Sequence, residues 1–371
     1  MEFSINRVDL VRELSLSQGV VEKRTTIPIL SNVLVEASGD HIQLTATDLE
    51  LGIRCACPAK VVKEGASTLP VRRLLDYVRL LPDVDVTFKF LENHWASLSC
   101  GRSRTRIAGM SRESFPELPQ MPEVLAEIPV GILTSMIAKT IFAISVEESR
   151  FTLNGALLLL RNTGAVMVAT DGHRLAHVET AAEIPGLATP YRALLPKKAM
   201  GEILKLAQEA EPTALIRFAG DENHLFFQLG GRLLISRKLT GTFPDYDRVL
   251  PKDYRNSAIL NREEARLAVE RVSQFADERS HAVRVQLTSG ELNFHSSVSE
   301  AGESEETIPT DYEGAGLDIG FNAQYLLDFL RTTAEEKVLL SFRDSHSAAE
   351  LRPADSGEGR QYRYVLMPMR I

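Results

Sequence analysis

The chain has 371 residues, of which 44% are hydrophobic and 25% are charged, and its formal net charge is −8 at pH 7. This composition is typical of a globular protein, and the length predicts two or three domains. The acidic balance argues against DNA-binding proteins that fill a groove with a basic surplus, although basic residues could still be gathered on one face.

Residues 1–5 show neither the basic region nor the apolar run of a signal peptide. The sequence has no stretch near the roughly 20 apolar residues that span a bilayer. Its three cysteines, Cys55, Cys57 and Cys100, are an odd number without metal-site spacing, which favours reduced thiols. We therefore expect a cytoplasmic protein that holds no metal or other cofactor.

Three times along the chain, a short strand-like run leads into an amphipathic helix pattern, which predicts an internal repeat. The first helices of the repeats are predicted over residues 7–18, 131–145 and 262–275. The second helices are predicted over residues 71–81, 197–209 and 322–332. A strand is predicted after each second helix, over residues 84–90, 214–218 and 337–342.

Short motifs recur at offsets of 123, 126 and 128 residues: Ala46-Thr47-Asp48 with Ala169-Thr170-Asp171, Leu69-Pro70 with Leu195-Pro196, and Phe115-Pro116 with Phe243-Pro244. The offsets differ by loop-sized insertions, as expected of duplicated domains. We predict three domains over residues 1–122, 123–252 and 253–371. Each is of class α+β, with two helices covering one face of antiparallel sheets.

Charge is distributed unevenly between the predicted helices and the rest of the chain. The six helices sum to +4, so the remainder carries −12. On the helix over 71–81, Arg72 and Arg79 lie opposite the apolar stripe, and on the helix over 197–209 Lys198 and Lys205 do so. Taken alone, such residues indicate only a solvated face. If the helices form one surface, that surface would attract a phosphate backbone weakly.

Asp171, His173 and His177 have a spacing that permits a catalytic or metal-binding cluster. A structural turn with a hydrogen-bonded histidine is the favoured interpretation, because no second acidic cluster, nucleophile elbow or phosphate-binding glycine loop accompanies it. The first repeat keeps Ala-Thr-Asp without the histidine. We therefore assign the triplet to the fold, and residues 172–175 to a local binding surface.

Seven short motifs follow one another along the chain: Arg24 with Ile27-Pro28-Ile29-Leu30, Ala46-Thr47-Asp48-Leu49-Glu50, Gly101-Arg102-Ser103-Arg104, Leu153-Asn154-Gly155, Thr170-Asp171-Gly172-His173-Arg174, Phe243-Pro244-Asp245-Tyr246 and Met367-Pro368-Met369-Arg370. Together they resemble the bacterial DNA polymerase III β subunit family, the sliding clamps. The resemblance implies a DNA processivity factor without catalytic activity. It also implies a head-to-tail homodimeric ring around duplex DNA, with helices lining the hole.

The resemblance also implies which residues meet each partner. Double-stranded DNA would be contacted, without sequence preference, by Arg24, Arg72, Arg73, Lys198 and Lys205. The second copy would be contacted through Thr105 and Ile107 on one subunit and Gln274 and Phe275 on the other. Short linear peptides of the replicative polymerase, the clamp loader and repair polymerases would bind a pocket formed by Leu153, Thr170, Gly172, His173, Arg174, Leu175, Pro244, Arg248, Val249, Asn322, Tyr325, Val365, Met367, Pro368, Met369 and Arg370.

An apolar, methionine-containing C-terminus fits this pocket, because termini usually fray unless they are docked and flexible thioethers suit a site that accepts several peptides. The alternative that remains open is a monomeric repeat scaffold that binds proteins without encircling DNA.

Overall fold

Six α-helices and 25 β-strands make up the regular structure of the residues described by the computed structural model, namely 1–22, 25–147, 149–298, 302–355, 357 and 359–370. Their order repeats three times as strand, helix, four strands, helix and three strands, with one additional strand in the first repeat. The predicted α+β class and the threefold repeat are therefore confirmed.

The helices are α1 (Arg7–Val20), α2 (Val71–Arg79), α3 (Val130–Thr140), α4 (Lys197–Leu206), α5 (Arg262–Ser273) and α6 (Ala323–Thr332). Asparagine side chains begin three of them, since Asn6, Asn261 and Asn322 each accept hydrogen bonds from two first-turn N–H groups. Asn322, predicted as the first residue of a helix, is therefore its N-cap. Helix α3 is shorter than predicted because a 3-10 turn replaces it at Ile141–Ala143.

Residues Met1–Thr134 and Lys198–Lys238 form one compact unit with two sheets. The smaller sheet contains β1 (Glu2–Asn6), β5 (Lys60–Lys63), β7 (Asp85–Phe90), β8 (Trp95–Cys100) and β9 (Ser103–Ala108). The larger sheet contains β2 (Asn32–Ser38), β3 (His41–Thr47), β4 (Leu51–Pro58), β6 (Gly65–Pro70), β10 (Ala126–Pro129), β15 (Leu215–Gly220), β16 (His224–Leu229) and β17 (Arg232–Arg237). Their strand orders are β5-β1-β7-β8-β9 and β10-β15-β16-β17-β4-β3-β2-β6.

Residues Ser135–Lys197 and Leu239–Ile371 form a second unit, also with two sheets. Its larger sheet contains β11 (Gly155–Arg161), β12 (Gly164–Thr170), β13 (Arg174–Ala181), β14 (Tyr191–Pro196), β18 (Asn256–Asn261), β23 (Lys337–Phe342), β24 (Ala349–Pro353) and β25 (Arg360–Leu366). Its smaller sheet contains β19 (Ala282–Thr288), β20 (Glu291–Val298), β21 (Gly302–Pro309) and β22 (Leu317–Asn322). Their orders are β14-β11-β12-β13-β25-β24-β23-β18 and β21-β20-β19-β22.

Each larger sheet is continuous across a border between sequence repeats. In the first unit, β17 of the second repeat pairs antiparallel with β4 of the first. In the second unit, β25 of the third repeat pairs with β13 of the second. The compact units consequently do not coincide with the sequence repeats, and the predicted domain limits stay a prediction.

The three cysteines are buried and free. Among the described residues, no helix is long and apolar enough to cross a membrane.

A buried ion pair fixes the junction in the first unit. Glu13 of α1 is 2% exposed, and Arg232 of β17 donates to its two carboxylate oxygens at 2.9 and 2.6 Å. Arg12 donates to the same carboxylate at 3.0 Å. Because the charges neutralise each other inside the protein, removal of either one would leave the other buried and uncompensated.

We expect Glu13→Gln to lower the local stability of β17 and β4 by about 3 kcal/mol, because the buried guanidinium of Arg232 would lose its counter-charge. Native-state amide exchange of the two strands measures this loss. Glu209, whose side chain is 65% exposed, provides the matched control. Glu209→Gln should change the same amides by less than about 0.5 kcal/mol, and equal losses in the two variants would contradict the assignment.

Candidate functional site

The motif at residues 170–174 forms the turn between β12 and β13. Asp171 Oδ1 accepts hydrogen bonds from the N–H groups of His173 and Arg174 at 2.9 and 3.1 Å. Thr170 Oγ1 accepts from Gly172 N at 3.1 Å and donates to Arg174 O at 2.7 Å. Gly172 has a φ of +90°, which glycine adopts without strain. These contacts account for the residue types of the motif as requirements of a turn.

The first repeat contains the same turn between β3 and β4. Asp48 Oδ1 accepts from the N–H groups of Glu50 and Leu51, and Thr47 Oγ1 accepts from Leu49 N and donates to Leu51 O. Leu49 takes the place of Gly172, with a φ of +79°. The acid of the repeated Ala-Thr-Asp triplet is thus architectural in both repeats, as the sequence indicated.

The side chain of Arg174 points into the second unit, where only 10% of it is exposed. Its guanidinium forms ion pairs with Asp171 and Asp328, and it donates to Phe142 O at 2.6 Å. The ring of Tyr325 covers the guanidinium at 4.1 Å from its centroid. Arg174 therefore holds the turn against α6, and its charge is compensated by the two carboxylates.

Tyr364 completes this arrangement. Arg174 donates to the Tyr364 hydroxyl at 3.3 Å, and that hydroxyl donates to Tyr325 O at 3.1 Å. Burial raises the pKa of Tyr364, so the hydroxyl stays protonated and available as a donor. The tyrosine thereby links β25 to α6.

The last residues of the chain lie beside the turn, in the same sheet. Within β25, Leu366 and Val365 are paired with Arg174 and Leu175 of β13. Beyond the strand, Met367 N donates to His173 O at 2.9 Å, and Met369 N donates to Gly320 O at 2.8 Å. The C-terminus is thus docked as predicted. It adjoins the turn directly.

The remaining predicted pocket residues differ in burial. Leu175 and Val365 are buried in a cluster with Phe243, against which the half-buried Leu153 packs. The more exposed predicted members are Gly172, His173, Pro244, Arg248, Val249, Met367 and Arg370. Thr170 is buried, whereas Asn322, Tyr325, Pro368 and Met369 are partly exposed. Apolar side chains beside a flexible methionine such as Met367 suit a peptide with hydrophobic anchor residues.

Arg150 is a pocket neighbour that the sequence reasoning missed. It donates to Asp171 O at 2.7 Å and forms an ion pair with Glu147 at 2.8 Å. A Cβ placed on Gly172 would lie 2.8 Å from Arg150 Nη1. The arginine therefore lies directly over the turn and connects it to the segment that carries the 71% exposed Phe151. No periodicity marks Arg150, because it lies in an irregular segment.

His177, considered in the sequence as a possible metal ligand or catalytic group, is buried in β13. Its ring lies 5.6 Å from that of Tyr246, and its Nδ1 has no hydrogen-bond partner among the described residues. Burial and the neighbouring Arg363 guanidinium lower the pKa of His177 to about 4. Within the described part of the chain, no group of three or more His, Cys, Asp or Glu side chains could hold a metal ion.

The predicted DNA contacts fall in the first unit. Arg72 and Arg73 of α2 and Lys205 of α4 line one groove of about 940 Å³, together with Glu22 and Asp76. Both arginines are exposed and form no ion pair within the described residues. The cationic groups of this groove thus come from two helices, α2 and α4, while α1 contributes Ser15, Gln18 and Gly19 to its lining.

Lys198 has a different environment, because its ammonium donates to Val20 O at 2.8 Å and pairs with Asp48. It thus caps the C-terminal end of α1, where a cation is favourable. Arg24 lies outside the described residues. On α5 and α6, by contrast, Arg262, Arg266, Arg271 and Arg331 are all paired with glutamates.

The predicted dimer contacts lie at two sheet edges. Thr105 and Ile107 belong to β9, and Phe275 follows α5, where its ring lies 3.7 Å from a Cβ placed on Gly302 at the start of β21. Gln274 is the C-cap of α5. In the described structure β9 pairs only with β8, and β21 only with β20, so each has an unpaired edge.

Acidification should destabilise the second unit through His177. The unfolded histidine binds a proton below about pH 6.5, whereas the folded one does so only near pH 4. The stability contributed by the neutral ring is therefore complete above pH 6.5 and falls by up to about 3 kcal/mol as the pH drops to 4. We expect His177→Gln to show a smaller drop in thermal midpoint between pH 7 and pH 5 than the parent protein. His41→Gln, at a half-exposed site, should retain the parent's drop, and an unchanged drop in His177→Gln would contradict the assignment.

Models of the DNA polymerase III beta subunit match the chain in three consecutive parts: the N-terminal domain over residues 1–119, the central domain over residues 127–245 and the C-terminal domain over residues 247–370. The beta sliding clamp of Chlamydia muridarum is 33% identical over 373 residues, which cover 100% of this chain and 99% of that protein. The beta sliding clamp of Pseudomonas putida is 34% identical, with 100% of both chains covered.

A crystal structure of the sliding clamp from Pseudomonas aeruginosa bound to griselimycin is similar in fold, with a TM-score of 0.92 and 34% identity over 100% of both chains. These likenesses extend over the whole length and include each of the three repeats. They confirm the family that the sequence motifs indicated. The chain belongs to the DNA polymerase III beta subunit family.

Proposed function

We propose that the protein is a DNA sliding clamp, which encircles duplex DNA as a head-to-tail homodimer and tethers replication and repair proteins through a peptide pocket. The observation that carries the proposal is that all three domains of the family match this chain in order and over its full length. The protein has no catalytic activity of its own in this role, and we place it in the cytoplasm, where the chromosome is replicated.

The two unpaired sheet edges support head-to-tail closure. Strand β9 ends the first repeat as β17 ends the second, and β21 has the place in the third repeat that β4 has in the first. Within one chain, β17 pairs with β4. If β9 of one copy pairs with β21 of another in the same way, two such contacts close a dimer and leave neither edge exposed.

The internal pairing also supplies a register for this contact. Leu233 faces Arg54 and Ile235 faces Gly52 in the β17–β4 ladder. The neighbouring ladders place Arg104 and Arg106 at the positions of Leu233 and Ile235. They likewise place Glu305 and Glu303 at the positions of Arg54 and Gly52.

Arg104 would therefore face Glu305, and Arg106 would face Glu303, across the dimer contact. All four residues are exposed in the single chain. On the opposite face of β9, Thr105 and Ile107 would approach the region of Gln274 and Phe275. Opposite charges on facing strand positions favour the pairing, and like charges would oppose it.

A charge exchange tests this contact. We expect Arg104→Glu with Arg106→Glu to raise the dimer dissociation constant by about 100-fold, because acids would then face acids. Glu303→Arg with Glu305→Arg should weaken the dimer similarly. Analytical ultracentrifugation of each variant measures the loss.

Mixing the two double variants is the decisive control. In a head-to-tail dimer of one variant with the other, both contacts regain opposite charges, so the mixture should dimerise far more tightly than either variant alone. A mixture that stays monomeric would rule out the proposed strand pairing.

The groove formed by α1, α2 and α4 supports a weak, sequence-independent contact with DNA. Arg72 and Arg73 offer guanidinium groups that have no ion-pair partner among the residues that the structure describes, and Lys205 shares its charge with Glu202 at 2.7 Å. A few phosphate contacts would orient the duplex without holding it at one sequence. A closed ring needs no more than this, because it retains DNA by topology.

Retention on DNA tests the topological mechanism. After loading by a clamp loader, the protein should stay on nicked circular DNA and leave when a restriction enzyme linearises the same DNA, as measured by gel filtration. Equal retention on both forms would favour a scaffold that does not encircle DNA.

The salt dependence of direct binding tests the phosphate contacts. In the double variant Arg72→Ala with Arg73→Ala, the slope of log affinity against log salt concentration should become shallower by about 2. Arg102→Ala with Arg248→Ala, exposed elsewhere, should leave the slope unchanged.

The apolar cluster that contains Leu175 and Val365, beside the docked C-terminal segment, supports peptide binding in the second unit. A peptide could bury hydrophobic side chains there, while the backbone groups of the turn and the tail remain fixed by their own hydrogen bonds. The compensated Arg174 would act by holding the turn in place. The other predicted pocket residues would contact the peptide from the rim.

Shortening one methionine tests the pocket. Met367 is 46% exposed, so a bound peptide could cover its side chain. We expect Met367→Ala to weaken binding of a fluorescent peptide from a replicative polymerase tail by about tenfold, because the thioether that the peptide would cover is lost. Deletion of residues 367–371 should abolish binding and leave the dimer intact. Met110→Ala, at a 36% exposed methionine of the first unit, is the control. Unchanged affinity after the deletion would refute the pocket assignment.

A further inference from the structure

A polar groove of about 990 Å³ lies on the first repeat, between the segment over residues 111–120 and the sheet face formed by β2, β3 and β4. Gln43 and Thr45 lie on its floor, and Glu36, Glu113 and Glu117 are among the residues that line it. None of these residues was assigned to DNA, to the dimer contact or to the predicted peptide pocket.

Strand register shows how this groove differs from the same region of the second repeat. Thr45 pairs with Leu34 as Val168 pairs with Leu157. In the second repeat, Val168 is buried in a cluster that includes Phe243 and Leu250. In the first repeat the same sheet position carries the hydroxyl of Thr45, which is one of the residues that line the groove.

Gln43 and Glu36 extend this difference. They are paired across β3 and β2 as Val166 and Leu159 are paired across β12 and β11. An apolar surface in one repeat is thus a hydrogen-bonding surface in the other. The ligand that fits here must accordingly be polar where a pocket-bound peptide would be apolar.

The groove is not a second copy of the predicted peptide pocket. Gly52 pairs with Thr47 as Leu175, a predicted residue of that pocket, pairs with Thr170. Leu118 closes this place in the first repeat, since a Cβ on Gly52 would lie 2.8 Å from Leu118 Cδ1. The groove lies to the side, over β3.

Thr45 supplies an unsatisfied group within this groove. The residue is 4% exposed, and its Oγ1 has no hydrogen-bond partner among the described residues. A buried hydroxyl without a partner is costly, so a ligand that donates to it would recover that cost.

Charge points to a cationic ligand. Of the three glutamates, Glu36 is paired with Arg112 at 3.4 Å. The side chain of Arg112 is 60% exposed, so a ligand could displace it from Glu36 at little cost. Glu113 and Glu117 are exposed and form no ion pair in the described part of the chain. The other lining arginine, Arg54, keeps its charge but directs its N–H groups to Leu118 O at 2.8 Å and to Gln120. Three glutamates and two arginines leave the lining with a net charge of −1.

We propose that this groove binds an extended peptide segment of a partner protein that carries an arginine or lysine side chain. The cationic end lies among Glu36, Glu113 and Glu117 and donates a hydrogen bond to Thr45 Oγ1. The guanidinium group suits this site best, since its several N–H groups can reach a carboxylate and the hydroxyl together.

The test uses the full chain and the pentapeptide acetyl-Ala-Arg-Ala-Arg-Ala-amide, titrated by calorimetry at low salt. Thr45→Val removes the hydroxyl and keeps the shape of the side chain, so we expect about fivefold weaker binding with an unchanged or higher thermal midpoint. A merely structural role of Thr45 would not lower the affinity. Glu113→Gln with Glu117→Gln should weaken binding about tenfold.

Glu222→Gln with Glu278→Gln is the matched control, because it removes the same charge at exposed sites outside the groove. It should change the affinity less than about twofold. An equal loss in the two double variants would reveal unspecific attraction and overturn the proposal. Full affinity of Thr45→Val for the arginine peptide would also overturn it. So would equally tight binding of the same pentapeptide with glutamate in place of both arginines.

Discussion

The structure depends on strand pairing across the borders between repeats. Each repeat ends on a strand with one free edge, and β17 and β25 satisfy theirs on β4 and β13. The buried Glu13–Arg232 ion pair strengthens the first of these junctions. In the described part of the chain, β9 and β21 each keep one edge without a partner strand. Because open edges attract further strands, the constraint that joins the repeats also explains why the molecule should close on a second copy.

The same turn serves two purposes in two repeats. Thr47 and Asp48 use the hydrogen bonds that Thr170 and Asp171 use, so the turn itself is a property of the fold. What differs is the residue that follows. Leu51 continues a strand, whereas Arg174 reaches α6 through Asp328 and Tyr325. In the sequence, Arg174 looks like a cation that binds a ligand. In the structure, its ion pairs hold the turn beside the C-terminal segment.

Prediction of the local structure around the candidate site succeeded where it rested on a local or repeated pattern, whereas the contacts of the site residues with DNA or peptide stay a prediction. The turn, the docked tail and the helices that carry Arg72, Arg73 and Lys205 all followed from motifs or periodicity. It failed where a side chain's partner lies far away in the chain. Lys198 caps α1 through Val20 O, and Arg150 covers the turn from an irregular segment. Neither contact leaves a periodic signal, because residues that meet through tertiary packing have no fixed spacing.

The sequence by itself determined the α+β class, the threefold order of strands and helices, and the family, because these depend on hydrophobic period, turn residues and motifs that are local in the chain. Only the tertiary structure decided that sheets cross the repeat borders, that β9 and β21 keep open edges, and that the first repeat has a polar groove over Thr45 where the second buries Val168 in an apolar cluster. Register and burial decide these features, and both arise from pairings between distant segments.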